Sequence, residues 1–260
     1  MNHFSIIPGA LPSIHQSDEL RYKEISAKRI DDLPSVGGVG KIPLIIHHQH
    51  NLPSCTGEAG AYCRMITHYL QTGKMVNLSP MFIYKMNRLF DGLPHETKGS
   101  TLKATVQTLQ AKGVCKEKLY PSTKENCESK FPSIKQGAKL LLADAAQYKI
   151  KKYARCDDLS DIISALADRR PVMFSLIIFS DFYTAQKGRI PAKISGEKIG
   201  GHSMVAMNYD LNREIIQVVQ SWGDSPNGPT DRGYMYIPFS WFEMRLNGKV
   251  PLLIEAFTML

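Results

Sequence analysis

The chain has 260 residues, 43% of them hydrophobic and 22% charged, and a formal net charge of +8. That length holds one large domain or two small lobes. The composition excludes a disordered or fibrous chain, and no apolar run approaches the roughly 18 residues that a membrane-spanning helix needs. The charge is uneven, because residues 110–155 hold eleven Lys and Arg against four acids. A solvated, solubilising surface accounts for such a segment, which could also attract an acidic partner. No interleaved aromatics or RNA-binding motif accompany it, so no nucleic-acid partner is expected.

Residues 1–40 read as an irregular extension punctuated by Pro8, Pro12, Pro34 and Gly37-Gly38-Val39-Gly40. A short helix fits over 20–30. The first residues lack a basic stretch followed by a long apolar one, so no conventional secretory signal is expected. The protein is then cytoplasmic or exported by another route.

Ser54 opens the first strong helical pattern. Ala59, Tyr62, Cys63, Ile66, Tyr69 and Leu70 share one face, Ser54 stands at the N-cap, and Gly73 can stop the helix. A second helix is expected from Ser79-Pro80 to about Phe90, with Pro80 suited to its first turn. A third follows Ser100 and stops at Gly113, and a fourth covers 158–167. Beyond Pro171 the pattern changes to short apolar runs. Residues 172–179, 203–209, 215–219, 234–237 and 252–257 read as strands. Helices first and strands second imply an α+β fold, as two lobes with a cleft between them.

Five cysteines, an odd number with no C-x-x-C pair, imply neither a disulfide framework nor a structural zinc site. The run His47-His48-Gln49-His50 invites a metal reading. Neighbouring side chains on an extended segment face opposite ways, however, and no thiolate or carboxylate partner is evident; no metal or cofactor is expected. Cys55 is the chemically distinctive cysteine. It falls in the first turn of the helix, where free N–H groups and the helix dipole favour the nucleophilic thiolate. Cys63 lies on the apolar face and belongs to the core.

In the second half, Gly200-Gly201-His202 opens the strand Ser203-Met204-Val205-Ala206-Met207-Asn208-Tyr209-Asp210. A hairpin, Gln220-Ser221-Trp222-Gly223 and Gly233-Tyr234-Met235-Tyr236-Ile237 follow. This order resembles the papain-like cysteine peptidase family, in the form of its bacterial-type members. The separation of Cys55 and His202 lies inside the roughly 130–150 residues usual for papain and cathepsins. Pro53-Ser54-Cys55-Thr56, Leu78-Ser79-Pro80, Gly99-Ser100 and Arg170-Pro171-Val172 resemble further family segments, so the likeness spans about 33–236.

The resemblance implies a papain-like two-lobed fold, with residues 41–155 as a helical lobe and 156–260 as a strand-rich sheet or half-barrel. An extended peptide or protein substrate would lie between the lobes. It implies Cys55 as nucleophile and His202 as its proton partner. It implies Gln220 as orienter of the imidazole, and an oxyanion hole made by the Gln49 amide and the Cys55 backbone N–H. Gly99, Ser100, Gly201 and Trp222 would border the substrate cleft. Gln220 stands where the family has Asn, Asn208 where it has Gly, and Glu58 where an uncharged residue is usual, so that its charge would raise the Cys55 pKa. The implied reaction is hydrolysis of a peptide or isopeptide bond through a thioester. Two alternatives stay open: a catalytically impaired homologue that binds proteins, and an acyl transferase using the same pair. The 40-residue extension is shorter than an inhibitory pro-segment of the family and is expected to pack on the domain.

Overall fold

The structure, a computed structural model, describes residues 7–14, 19–26, 28, 30–93, 98–129 and 137–260. Helix α1 (Cys55–Thr72) follows Ser54 and is closed by Gly73. Ser54 occupies the N-cap position but caps nothing: its hydroxyl is buried without a hydrogen-bond partner among the described residues. Helix α2 (Pro80–Asp91) has the cap that the sequence implies, the Ser79 hydroxyl accepting the Phe82 N–H at 3.0 Å. Thr101 does the same for α3 (Leu102–Ala111) through the Ala104 N–H. These three helices pack on one another.

The basic segment carries two short helices that its polar sequence does not announce, α4 (Lys124–Glu128) and α5 (Ala138–Ala145). Part of its charge is neutralised internally, Lys116 pairing with Asp144 and Lys124 with Glu128. Helix α6 (Leu159–Ala167) is capped by Asp158, which accepts the Asp161 N–H.

Seven strands form one antiparallel sheet. They are β1 (Val36–Gly38), β2 (Tyr153–Arg155), β3 (Val172–Phe179), β4 (Lys198–Asp210), β5 (Ile215–Val219), β6 (Tyr234–Pro238) and, after two further strands, β9 (Leu253–Met259). The order is β2-β9-β3-β4-β5-β6, with β1 added to β4. The hairpin β7 (Arg245–Leu246) and β8 (Val250–Pro251) follows the short helix α7 (Ser240–Glu243). Strand β4 begins earlier than its apolar run, because Lys198, Gly200 and Gly201 already pair with β3. β1 and β2 are short and lack alternation; their partners β4 and β9 define them.

Alternation along the central strands divides the core in two. Met173, Val205, Met207, Val219 and Phe257 face α1, α2 and α3. Phe174, Leu176, Met204, Ala206, Ile216 and Val218 face the other way, with α6, Trp241 and Phe242. Each large side chain so buried contributes roughly 1.5–3 kcal/mol. The sheet is therefore the shared wall against which α1 is held.

The single short helix expected over 20–30 is replaced by two 3-10 turns, Tyr22–Glu24 and Ile30–Asp32; residues 27 and 29 lie outside the described set. Side-chain anchoring decides this. Tyr22 is buried and its hydroxyl donates to Asp168, which also accepts from Ser26 and Lys28. Among the described residues no helix is long and apolar enough to cross a membrane.

Candidate active site

Cys55 is the first residue of α1 and is fully buried. Burial pushes its thiol up. Hydrogen bonds from the backbone of Ser203, Gly9 and Thr56 and from the Ser203 hydroxyl pull it down. The helix start thus provides the N–H groups that suit a thiolate, while exclusion of water opposes the charge. Two of the sulfur's neighbours, Ser203 and Gly9, are remote in sequence.

Ser203 is the residue after His202 on β4. The His202 ring is also fully buried, its Nε2 lying 3.3 Å from Gln220 Oε1 and its plane against Trp222 at 5.0 Å between centroids. Burial pushes the imidazole down to about 4, with the Gln220 hydrogen bond acting weakly the other way. Its Nδ1 is buried without a hydrogen-bond partner among the described residues. Gln220, one methylene longer than the family's Asn, reaches the ring. Trp222 covers the ring and contacts Tyr183, so it stands behind the imidazole and not along an open cleft.

Gln49 is buried, and its amide is fixed from both ends. Oε1 accepts from the Ser221 hydroxyl at 2.7 Å and Nε2 donates to the Leu52 carbonyl at 2.8 Å. The Gln49 backbone N–H also donates to the Ser221 carbonyl, and His48 bridges to Trp222. One amide hydrogen of Gln49 is left for another acceptor. The contacts run Cys55 to Ser203, His202 to Gln220, and Ser221 to Gln49; Cys55 and His202 are linked through adjacent residues of β4, with no hydrogen bond between them among the described residues. Ser221 and Ser203 are the members that the sequence reading did not single out; Ser221 stands in the quoted Gln220-Ser221-Trp222-Gly223 run, where its position beside Gln220 was the available signal.

The N-terminal extension packs across this site. The Gly9 carbonyl accepts the Ser100 N–H at 2.8 Å, and the Leu11 N–H donates to the Ser100 carbonyl at 2.9 Å. The Ala10 N–H donates to the Gly201 carbonyl at 3.0 Å. Ala10 runs parallel to Ser100. A side chain at Gly201 would bring its Cβ within 2.2 Å of the Ala10 carbonyl oxygen, so only glycine admits the extension at this point. Beyond, Ser13 donates to the buried Glu255 carboxylate, and Lys103 donates to the Ile14 carbonyl. Three residues expected to border the cleft, Gly99, Ser100 and Gly201, thus hold or closely approach the chain's own segment 9–11. This strap contributes to the burial of Cys55, whose sulfur the Gly9 backbone meets.

The fold is that of the papain-like cysteine proteases. The solved structures that it resembles include xylellain, a cysteine protease from Xylella fastidiosa. The two share 22% identity, with 97% of this chain and 95% of that one covered, at a TM-score of 0.79. Another is procathepsin B of Trypanosoma congolense, at 15% identity, 98% and 86% coverage and a TM-score of 0.70. A peptidase C1-like protein of Acanthamoeba polyphaga mimivirus is 25% identical over 225 residues, covering 82% of this chain and 72% of the viral one. No family model matches the chain.

Proposed function

We propose that this chain is a thiol-dependent peptidase with residues 41–260 as its peptidase domain, and that residues 9–13 hold it in a self-blocked state. Support comes from one observation above others: Cys55 at the start of α1 meets Ser203, the residue after His202, while His202 meets Gln220 and Gln49 meets the adjacent Ser221. The Cys55 thiolate adds to the substrate carbonyl carbon, and the carbonyl electron pair moves to oxygen. That oxygen is received by the free Gln49 amide hydrogen and the Cys55 backbone N–H, each such donor contributing about 3–4 kcal/mol. His202 protonates the leaving amine and then takes a proton from the water that hydrolyses the thioester. Gln220 holds the imidazole by its Nε2, which leaves Nδ1 for the sulfur.

The strap fits this reading as an occupant of the substrate path. It engages Ser100 and Gly201 by backbone bonds alone, as an extended peptide of any sequence would. Ala10→Pro removes the N–H that Gly201 accepts and adds a ring at a closely packed point. Iodoacetamide and an epoxide probe are then the test. Labelling is expected at Cys55, faster by about tenfold or more in Ala10→Pro, and absent in Cys55→Ala; loss of one bond worth about 1.4 kcal/mol corresponds to that factor. An Ala10→Pro protein whose Cys55 stays inert, with the other cysteines blocked, would sink the peptidase reading and leave a binding module.

A further inference from the structure

One turn into α1 from Cys55 lies a second buried group, apart from the reactive pair. Glu58 is 1% exposed, and its Oε2 stands 3.0 Å from His47 Nδ1. The other ring nitrogen of His47, Nε2, stands 2.8 Å from Asn77 Oδ1. Each ring nitrogen therefore faces an acceptor, and both acceptors are satisfied together only if both nitrogens carry protons. Burial alone would push the His47 pKa down, but the hydrogen bonds to Glu58 and Asn77 outweigh it and push it up, which favours a protonated imidazole against Glu58. Further acidic surroundings come from Glu117, ahead of α4, and the whole lies on the Tyr62 ring at 5.0 Å.

The backbone of His47 is held as firmly. Its N–H donates to the Tyr62 hydroxyl at 2.5 Å, and its carbonyl accepts the Gly223 N–H at 3.0 Å. His47 lies two residues before Gln49, and Glu58 three residues after Cys55. The pair thus joins the two short segments that supply the two donors of the proposed oxyanion hole. A buried ion pair adds little to net stability over an apolar pair of the same shape. It has a fixed direction and distance, and that serves register between elements.

We infer that His47 and Glu58 are positioning residues for the oxyanion hole: their ion pair sets the separation between the Gln49 side-chain amide and the Cys55 backbone N–H. This rests on the peptidase reading above. It also reassigns Glu58, whose charge faces His47, while burial is the largest cause raising the Cys55 thiol. A shift of about 1 Å in a reacting group's position typically costs on the order of a hundredfold.

The test compares two probes of Cys55 in the Ala10→Pro background, so that strap opening cancels from their ratio. A peptide aldehyde adds its carbonyl carbon to the sulfur and leaves the oxygen, as alkoxide or hydroxyl, in the oxyanion hole. Iodoacetamide alkylates the same sulfur with loss of iodide and makes no oxyanion. Glu58→Gln keeps the shape and removes the charge. It is expected to weaken aldehyde binding by about 10- to 100-fold with alkylation within about threefold, and to lower kcat on a peptidyl coumarylamide with KM little changed. Glu58→Asp is expected to recover part of the loss. The charge-neutral double variant His47→Gln, Glu58→Gln is expected to be no worse than either single variant.

Equal losses with both probes, or an unchanged aldehyde affinity, would overturn the inference. So would variants that fail to fold, the double variant included, since the pair would then be structural. If the background protein is alkylated but binds no aldehyde, the nucleophile survives and the positioned oxyanion hole falls. If it reacts with neither, the peptidase reading falls and takes this inference with it.

Discussion

His202 sits where its charge is most costly. Among the described residues no carboxylate acts on it and Trp222 lies on its ring, and burial pushes the imidazole down to about 4. Cys55 is pushed up by burial too. Under the strap the proposed reactive pair is therefore a neutral thiol and a neutral imidazole, not the ion pair that attacks a carbonyl. Because the folded pKa of His202 lies below its free value of about 6.5, this group stabilises the closed form above that value, and the contribution is lost as pH falls toward about 4. Nitrogen NMR of the His202 ring should show the neutral form from pH 8 to about pH 5 in the wild type. In Ala10→Pro it should show a protonated fraction at neutral pH. A protonated ring at pH 7 in the wild type would contradict the closed-state account. At this scale the sequence exposed Cys55 directly, since a helix start is readable from periodicity and a stop signal. His202, Gln49 and Gln220 were readable only through the order of motifs, because nothing local marks a strand histidine. Glu58 looked like a threat to the thiolate because its partner His47 lies eleven residues away in sequence, on another element.

The seat of α1 depends on a crossing with no spare room. At Gly57, two residues past Cys55, a Cβ would come within 2.4 Å of the Pro80 carbonyl oxygen at the start of α2. Backbone cannot rotate away as a side chain can. Gly57→Ala should therefore force the two helix starts apart and cost about 1–3 kcal/mol, seen as a lowered denaturation midpoint with slower alkylation of Cys55. An unchanged midpoint would mean that the crossing relaxes freely. Elements of this length were legible. α1, α2, α3 and α6 have caps or stops in the sequence, and β3 and β5 coincide with their apolar runs. The short helices α4, α5 and α7 escaped. Among strands, those that escaped are defined by a partner: β1 through β4, β2 through β9, β7 and β8 through each other, and residues 198–202 of β4 through β3. The strap belongs with them, since hydrogen bonds to Ser100 and Gly201 leave no periodic mark on Gly9, Ala10 and Leu11.

Across the molecule the extension is tied down at several distant points. Ser13 meets Glu255, Glu19 pairs with Lys103 and Arg155, and Tyr22 reaches Asp168. Glu255 is the buried acid among these. Burial raises its carboxyl to about 7, partly offset by the Ser13 hydroxyl and the Leu102 N–H. A folded pKa above the free value means that stability is fully present below about 4.5 and is lost as pH rises through about 7. Glu255→Gln keeps an acceptor for the Leu102 N–H, donates its NH2 to the Ser13 hydroxyl and cannot ionise. Its midpoint should exceed that of the wild type above pH 7, by roughly 3 kcal/mol at most on a shift of this size, and converge with it toward pH 4.5. Thermal melts between pH 4.5 and 9 check this, and parallel curves would refute it.

A plug carried on the same polypeptide behaves unlike a separate inhibitor. Residues 9–11 bond Ser100 and Gly201 at an effective concentration fixed by the connecting chain, at least the order of millimolar that even a flexible tether gives, however dilute the protein is. Dilution cannot relieve the block, and a competing peptide must be present at comparable millimolar levels or bind far more tightly. Once the connecting chain is severed, the same residues become an ordinary ligand that washes away, so one cut would turn a concentration-independent restraint into a permanent release.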